Sequence, residues 1–331
     1  MQEEKNKHFI KNIEIKNFKC FEDFKAEGFG RVNLIGGKNN VGKTAFMEAV
    51  YVNSHAETLQ TFLHALIKIK SLRDMLDLFD DKIKGKEDTL LKNILEFSNH
   101  LYTSSNINQT LYEIEEQNGI REYIFKFKDE DIRVNINAFS ATQEYEKNIR
   151  FIDNLGLNKS DLKNAFIAVQ IRDKEDIVYK YINEFDNDVL NFKIIGGDIP
   201  QCKTVTGEYR DLNQFGDGLK HFISIICSLY ECSDGYLFID EIDNGVHYTK
   251  LDLLWKIILT ISKEQNVQVF STTHSKECIE SYVKIAKELE DKDISYSIIS
   301  KLKSGKLHHS LYDYDLLENS VIEQEHEVRG W

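Results

Sequence analysis

A single proline, Pro200, stands among the 331 residues, and no Ser- or Gly-rich run accompanies it. Flexible and semi-rigid linkers are built from those residues, so nothing marks a hinge between separate domains. Cysteine is sparse as well. Cys20, Cys202, Cys227, Cys232 and Cys278 are scattered without metal-ligand spacing. An odd, dispersed set argues against a disulfide scaffold and against a zinc site. It suits the reduced thiols of a cytoplasmic protein, as does an opening, Met1-Gln2-Glu3-Glu4-Lys5, that is charged and lacks an apolar signal core. No run of about 18 apolar residues occurs, so no membrane span is expected. Positive charge is short: 42 Lys and Arg face 55 Asp and Glu, a net charge of −13. That balance weighs against strong nonspecific DNA affinity, which needs clustered cations to release counterions. A local basic groove stays open, with Lys5, Lys7, Lys11, Lys16 and Lys19 as its candidates; the plainer reading of these is the solvated face of an edge strand. Sustained heptads and internal repeats are missing too, which excludes a long coiled coil and a solenoid. The remainder, 41% hydrophobic and 29% charged, is an ordinary globular composition with material for a real core.

What is present begins with Gly37-Lys38-Asn39-Asn40-Val41-Gly42-Lys43-Thr44, a full match to the phosphate-binding pattern G-x-x-x-x-G-K-[ST]. A triphosphate is dense in negative charge, and a loop of inward backbone N–H groups at a helix N-terminus can hold it. Gly37 and Gly42 let the backbone turn tightly, while Asn39, Asn40 and Val41 supply further loop amides. Lys43 can reach the β- and γ-phosphates, and the Thr44 hydroxyl can sit on Mg²⁺. The flanks agree: Arg31 to Ile35 reads as a strand entering the loop, and Thr44 to Tyr51 as a helix leaving it, with Phe46, Met47, Val50 and Tyr51 on one side.

Around that core the pattern alternates between periods. His8 to Phe24 alternates as a half-buried strand pair. About 57–110 reads as a helical insertion, with Leu63, Ile67, Leu72, Leu76, Leu91 and Ile94 at helical steps. About 111–137 reads as a β-hairpin turning at Asn118-Gly119. About 147–190 reads as a second helical segment, and short strands, a long helix and then alternating strand and helix follow. The whole, 1–331, is expected to form one domain.

Three later segments extend the chemistry. Gly235 to Ile239 is an apolar run ending in Asp240-Glu241, as a buried parallel strand would end at the ligand edge of an open sheet. Asp240 can help hold Mg²⁺ beside Thr44, and Glu241 can position the attacking water, the division of labour that phosphoryl transfer needs. Ser271-Thr272-Thr273-His274 closes the next strand and carries His274 toward the γ-phosphate. Phe215-Gly216-Asp217-Gly218 precedes an amphipathic helix and forms another anion-ready terminus. His308-His309 is read as strand-edge surface rather than as a metal site, since no other ligand spacing supports one.

The order of these pieces resembles the ABC-class ATPase heads, nearest to the SMC/RecF/OLD-like group of AAA_15/AAA_21 type. The resemblance rests on Ile13-Glu14-Ile15-Lys16-Asn17-Phe18-Lys19-Cys20-Phe21, Leu34 to Thr44, Gly216-Asp217-Gly218-Leu219-Lys220, Ile239 to His247, and Ser271 to Ser275. It is weak across about 57–190. It implies an α/β fold: an ABC-type P-loop NTPase head with a parallel sheet core, an antiparallel N-terminal β-lobe and helical insertions. It implies an ATPase using ATP and Mg²⁺, with Asp240 as Walker B aspartate, Glu241 as catalytic carboxylate and His274 as switch histidine. Phe215 to Leu219 stands for the signature motif that completes the site of a second subunit, so a head-to-tail homodimer or higher homo-oligomer is implied. Gly216 stands where that motif usually carries serine. The Q-loop glutamine has no assigned counterpart. Ile294 to Trp331 leaves room for a strand pair and a tail rather than a nuclease domain, so the chain reads as a stand-alone head. Such heads often regulate a separately encoded effector, a nuclease or toxin, frequently in anti-phage defence; a RecF-like ATPase acting directly on nucleic acid is the alternative.

Overall fold

The computed structural model describes residues 6–73, 100–117, 120–128, 130–134 and 148–320. Its centre is a six-stranded sheet in the order β15-β14-β3-β13-β12-β8 among the described residues. The strands are β3 (Val32–Gly36), β8 (Ile149–Ile152), β12 (Tyr236–Ile239), β13 (Gln268–Thr272), β14 (Ile294–Lys301) and β15 (Leu307–Asp313). All run parallel except β15, which returns antiparallel along β14. Continuous apolar strands result because both faces are covered. In β12, Leu237 and Ile239 enter one core, while Tyr236 and Phe238 enter the other.

One face carries α5 (Asp217–Glu231), α6 (Leu251–Glu264) and α7 (Lys276–Glu288), whose buried stripes include Phe222, Ile226, Leu254, Trp255 and Tyr282. Behind them lie α3 (Lys159–Ile171), α4 (Glu175–Phe185) and a small sheet of β9 (Val189–Ile195), β10 (Ile199–Thr204) and β11 (Tyr209–Asp211). The other face packs α1 (Lys43–Ser54) and α2 (Leu59–Arg73) beneath an antiparallel lobe. The lobe is β2-β1-β4-β5-β6-β7, from β1 (Asn12–Phe18), β2 (Phe21–Glu27), β4 (His100–Ser105), β5 (Gln109–Gln117), β6 (Ile120–Phe127) and β7 (Asp131–Val134). Buried Gln268 stitches lobe to core: its Oε1 accepts from Ile10 N, and its Nε2 donates to Ile10 O and Gly30 O, each at 2.8 Å. A short helix, α8 (Tyr314–Glu318), closes the described chain.

Two expectations change. The helical reading of 57–110 holds for α2, but 100–105 is β4, paired with β1 from Ile13↔Ser105 to Lys16↔Tyr102. A distant partner strand, not local propensity, decides that segment. Leu76, Leu91, Ile94 and the expected turn at Asn118-Gly119 lie outside the described residues; β5 and β6 pair antiparallel as far as Gln117↔Ile120. The helical reading of 147–190 holds for α3 and α4, but 149–152 is β8, the strand beside β12.

Candidate nucleotide site

Three parallel strands, β3, β12 and β13, bring Lys43, Thr44, Asp240, Glu241 and His274 to one sheet edge. β3 runs into the 37–44 loop. There Gly37 adopts φ 134°, and a Cβ would come within 2.4 Å of Ile299 O, so glycine is needed on both counts. Gly42 is the N-cap of α1 and offers no side-chain cap, which leaves the first amides of α1 for an anion. Lys38, Asn39 and Asn40 are exposed on the loop, and Val41 is buried. The Lys43 side chain folds back inside: Nζ donates to Gly37 O and Lys38 O at 2.9 Å each and lies 3.1 Å from His274 Nδ1. Burial pushes the Lys43 ammonium down to about 8, against the pull of Asp240 and Glu241. His274 is also held below its ordinary value, by burial and then by the Lys43 charge, so its neutral Nδ1 is the acceptor.

The acids are tied together through a threonine. Asp240 Oδ1 accepts from Thr44 Oγ1 at 3.1 Å and from Thr272 Oγ1 at 2.6 Å. Burial raises the Asp240 carboxyl; those two hydrogen bonds oppose the rise. Thr272 Oγ1 in turn accepts from Glu241 N at 2.8 Å, so one hydroxyl ties the Asp240 carboxylate to the Glu241 backbone. Glu241 sits at φ 49°, a left-handed conformation uncommon for a side-chain-bearing residue and frequent at functional sites. Thr273 Oγ1 donates to Asp243 Oδ1 at 2.6 Å, placing a third carboxylate near His274; burial raises that group too.

Sequence reasoning left Thr272, Thr273 and Asp243 without roles, although all three lie inside the motifs it singled out. It missed Asp153 altogether. Asp153 follows β8, and the bond from Asp240 N to Ile152 O at 2.9 Å sets it at the same sheet edge.

The segment from Phe215 to Leu219 forms a second group of predicted residues. Gly216, at φ 85°, is the N-cap of α5 without a side-chain cap. A Cβ on Gly218 would approach Gly245 O to 2.0 Å, so the helix start and the Asn244–His247 loop touch through bare backbone. Gly216, Asp217, Gly218 and Gly245 line a cavity of about 660 Å³, and none of its lining residues belongs to the 37–44 loop or to the Asp240–His274 group. His309 is half-buried with Nε2 2.9 Å from Ser297 Oγ, as a strand-edge side chain would be. Among the described residues no group of three or more His, Cys, Asp or Glu is arranged to hold a metal ion, and no helix is long and apolar enough to cross a membrane.

The AAA_15 family model, described as an AAA ATPase domain, matches residues 9–52 and 50–279. This chain belongs to the AAA_15 family. It resembles an "ATP/GTP phosphatase" of Helicobacter pylori, 25% identical over 337 residues, with 84% of this chain and 89% of that protein covered. A shorter stretch of 53 residues is 42% identical to the DNA replication and repair protein RecF of Bacillus cytotoxicus, covering 16% of this chain and 14% of that one. The fold is similar to an SMC head bound to the C-terminal winged-helix domain of ScpA, with a TM-score of 0.53 and 12% identity over 92% of this chain and 98% of that one. It is also similar to the Pyrococcus furiosus SMC head with an extended coiled coil, bound to the C-terminal domain of ScpA, at 0.51 and 9% over 96% and 99%. The AAA_15 chain is thus an ATPase with an ABC-class, SMC-head-like α/β fold, as the motif order implied.

Proposed function

We propose that this AAA_15 ATPase hydrolyses ATP between two head-to-tail copies and uses the cycle as a switch on a partner. The observation that carries the reading is the chain Thr44–Asp240–Thr272–Glu241, closed by Lys43 and His274. Backbone amides of Gly37 to Thr44 hold the phosphates, and Lys43 Nζ exchanges the Gly37 and Lys38 carbonyls for phosphate oxygens. His274 is then released from Lys43, and with a proton on the ring nitrogen that faces the nucleotide it donates to a γ-phosphate oxygen. Thr44 Oγ1 and Asp240 Oδ1 are adjacent hard oxygens, the donor set that Mg²⁺ takes from protein when phosphates complete its shell. The ion would neutralise charge on the β- and γ-phosphates. Glu241, its backbone pinned by Thr272, orients the attacking water and accepts its proton as the bond from the γ-phosphorus to the bridging oxygen breaks, giving ADP and phosphate. Residues 215–218 complete the site of the second copy through the amides at the start of α5.

The switch reading includes a separately encoded effector, a nuclease or toxin, in anti-phage defence, as the resemblance to ABC-class heads implies. Local similarity to RecF supports a second reading, an ATPase acting directly on nucleic acid. Salt-sensitive DNA binding with DNA-stimulated turnover would decide for that one. Glu241→Gln is the central test. It should bind ATP, turn over at least about a hundredfold more slowly, and accumulate dimers in light scattering. Wild-type turnover removes Glu241 from its role, and a monomer that holds ATP without associating sinks the sandwich.

A further inference from the structure

His221 lies one turn into α5 and is fully buried, with neither ring nitrogen hydrogen-bonded. Burial holds its imidazole neutral, down to about 4, and the charge of Lys220 acts in the same direction. Near neutral pH the ring therefore carries one N–H donor and one acceptor lone pair. A position filled for packing alone would carry an apolar side chain, as Phe222, Ile223 and Ile225 do beside it. A buried polar group without a partner costs stability and calls for a reason. The Ile242 carbonyl is close enough to favour the protonated ring, yet it is not in line for a hydrogen bond. Ile242 is itself fully buried. Its N donates to Thr272 O at 3.0 Å, and its carbonyl accepts no hydrogen bond among the described residues. An unmet donor and an unmet acceptor thus sit side by side, one residue beyond Glu241.

Both groups belong to elements that meet at the nucleotide edge of the sheet. The turn after β12 carries Glu241 at φ 49°, and Glu241 O accepts from Asn244 N at 2.8 Å. The first turn of α5 touches that turn through Gly218 and Gly245, where a Cβ has no room, so a shift of the helix is felt there directly. The loop after β8 also grips the helix around His221. Leu157 N donates to Ser224 Oγ at 3.0 Å, Ser224 Oγ donates to Lys220 O at 2.7 Å, and a Cβ on Gly156 would come within 3.4 Å of His221 Cα. In the head-to-tail arrangement proposed above, on which this inference rests, the start of α5 engages the nucleotide of a second copy. We propose that His221 is a positioning residue for hydrolysis: on that engagement its ring N–H donates to Ile242 O and fixes the turn that carries Glu241. Two buried groups that bond in one arrangement only form a bistable contact, through which one site can bias another. Glu241 is thereby held at the attacking water in a paired copy and left loose in an unpaired one.

His221→Phe removes the nitrogens and keeps a ring. It should fold with unchanged or higher stability in urea and bind a fluorescent ATP analogue with unchanged affinity. In the Glu241→Gln background it should dimerise with ATP as its parent does. Its kcat should nevertheless fall by about tenfold or more at unchanged KM. His221→Gln returns an N–H donor and should bring kcat to within about threefold of wild type. Hydrogen exchange supplies a second readout. With ATP, amides of 241–246 in Glu241→Gln should become protected, and adding His221→Phe should abolish that protection. Wild-type kcat in His221→Phe overturns the proposal. So does an equal loss in the Phe and Gln variants, which would make the ring's shape its function. A His221→Phe chain that unfolds overturns it too, since the nitrogens would then serve the resting fold. Dimers that form without the exchange difference remove His221 and leave the sandwich standing. A Glu241→Gln parent that never dimerises with ATP overturns the sandwich itself and the trigger assigned to His221 with it.

Discussion

Lys43 is the residue on which the pH behaviour of this ATPase turns. Its ammonium is buried against two carbonyls and a neutral imidazole, and its pKa falls to about 8. Phosphate oxygens stabilise the charged form, so nucleotide binding raises that pKa and takes up a proton above pH 8. Affinity for a fluorescent ATP analogue should therefore be flat from this source below pH 8 and weaken by up to about tenfold per unit above it. A wild-type profile that stays flat to pH 9.5 would contradict the assignment, and Lys43→Arg should abolish the break. The sign for folding is opposite. Between about 8 and 10.5 the unfolded chain binds the extra proton, so the free protein gains stability over that window. Lys43 itself was legible in the sequence because a contiguous eight-residue motif carries all of its partners save one. Thr272 was not. Its function is to join Asp240 to Glu241, and that contact exists only once β12 and β13 lie side by side.

At the scale of elements, β8 is the strand the sequence hid. It is four residues long and has Arg150 in its middle, a residue that argues against a core strand. The structure resolves the conflict through a buried ion network. Arg150 Nη1 donates to Asp161 Oδ1 and Arg150 Nε to Glu231 Oε2, each at 2.9 Å, and Lys68 Nζ donates to Asp161 Oδ2 at 2.9 Å. Every side chain in it is at most 8% exposed. The network joins α2, β8, α3 and the C-terminal end of α5, four elements distant in sequence, so no local pattern announces it. Removing its centre leaves two buried carboxylates with less compensation, and such losses cost about 3–5 kcal/mol. Arg150→Met should accordingly lower the urea midpoint by that much stability. Arg150→Met/Glu231→Leu should recover part of it, because a well-packed apolar pair carries no stranded charge. A stability loss under about 1 kcal/mol for Arg150→Met, from the midpoint shift times the m-value, would show the network to be energetically idle.

At the scale of the molecule, the predicted residues fall into two separate groups on one chain. The first, Lys43 to His274, is built on the carboxyl ends of the parallel strands, where open α/β sheets bind ligands. The second, at the start of α5, lines a cavity that shares no residue with it. A single copy that completed its own site would hydrolyse ATP at the same rate per chain at any dilution. Two half-sites that must meet across copies make turnover second order when chains are scarce and first order once they are paired. The initial hydrolysis rate per chain should thus climb with protein concentration at saturating ATP and level off where light scattering first reports dimers. A rate per chain that is constant from the lowest measurable concentration, in a protein that stays monomeric by scattering, would mean that the α5 terminus serves something other than a second copy's nucleotide.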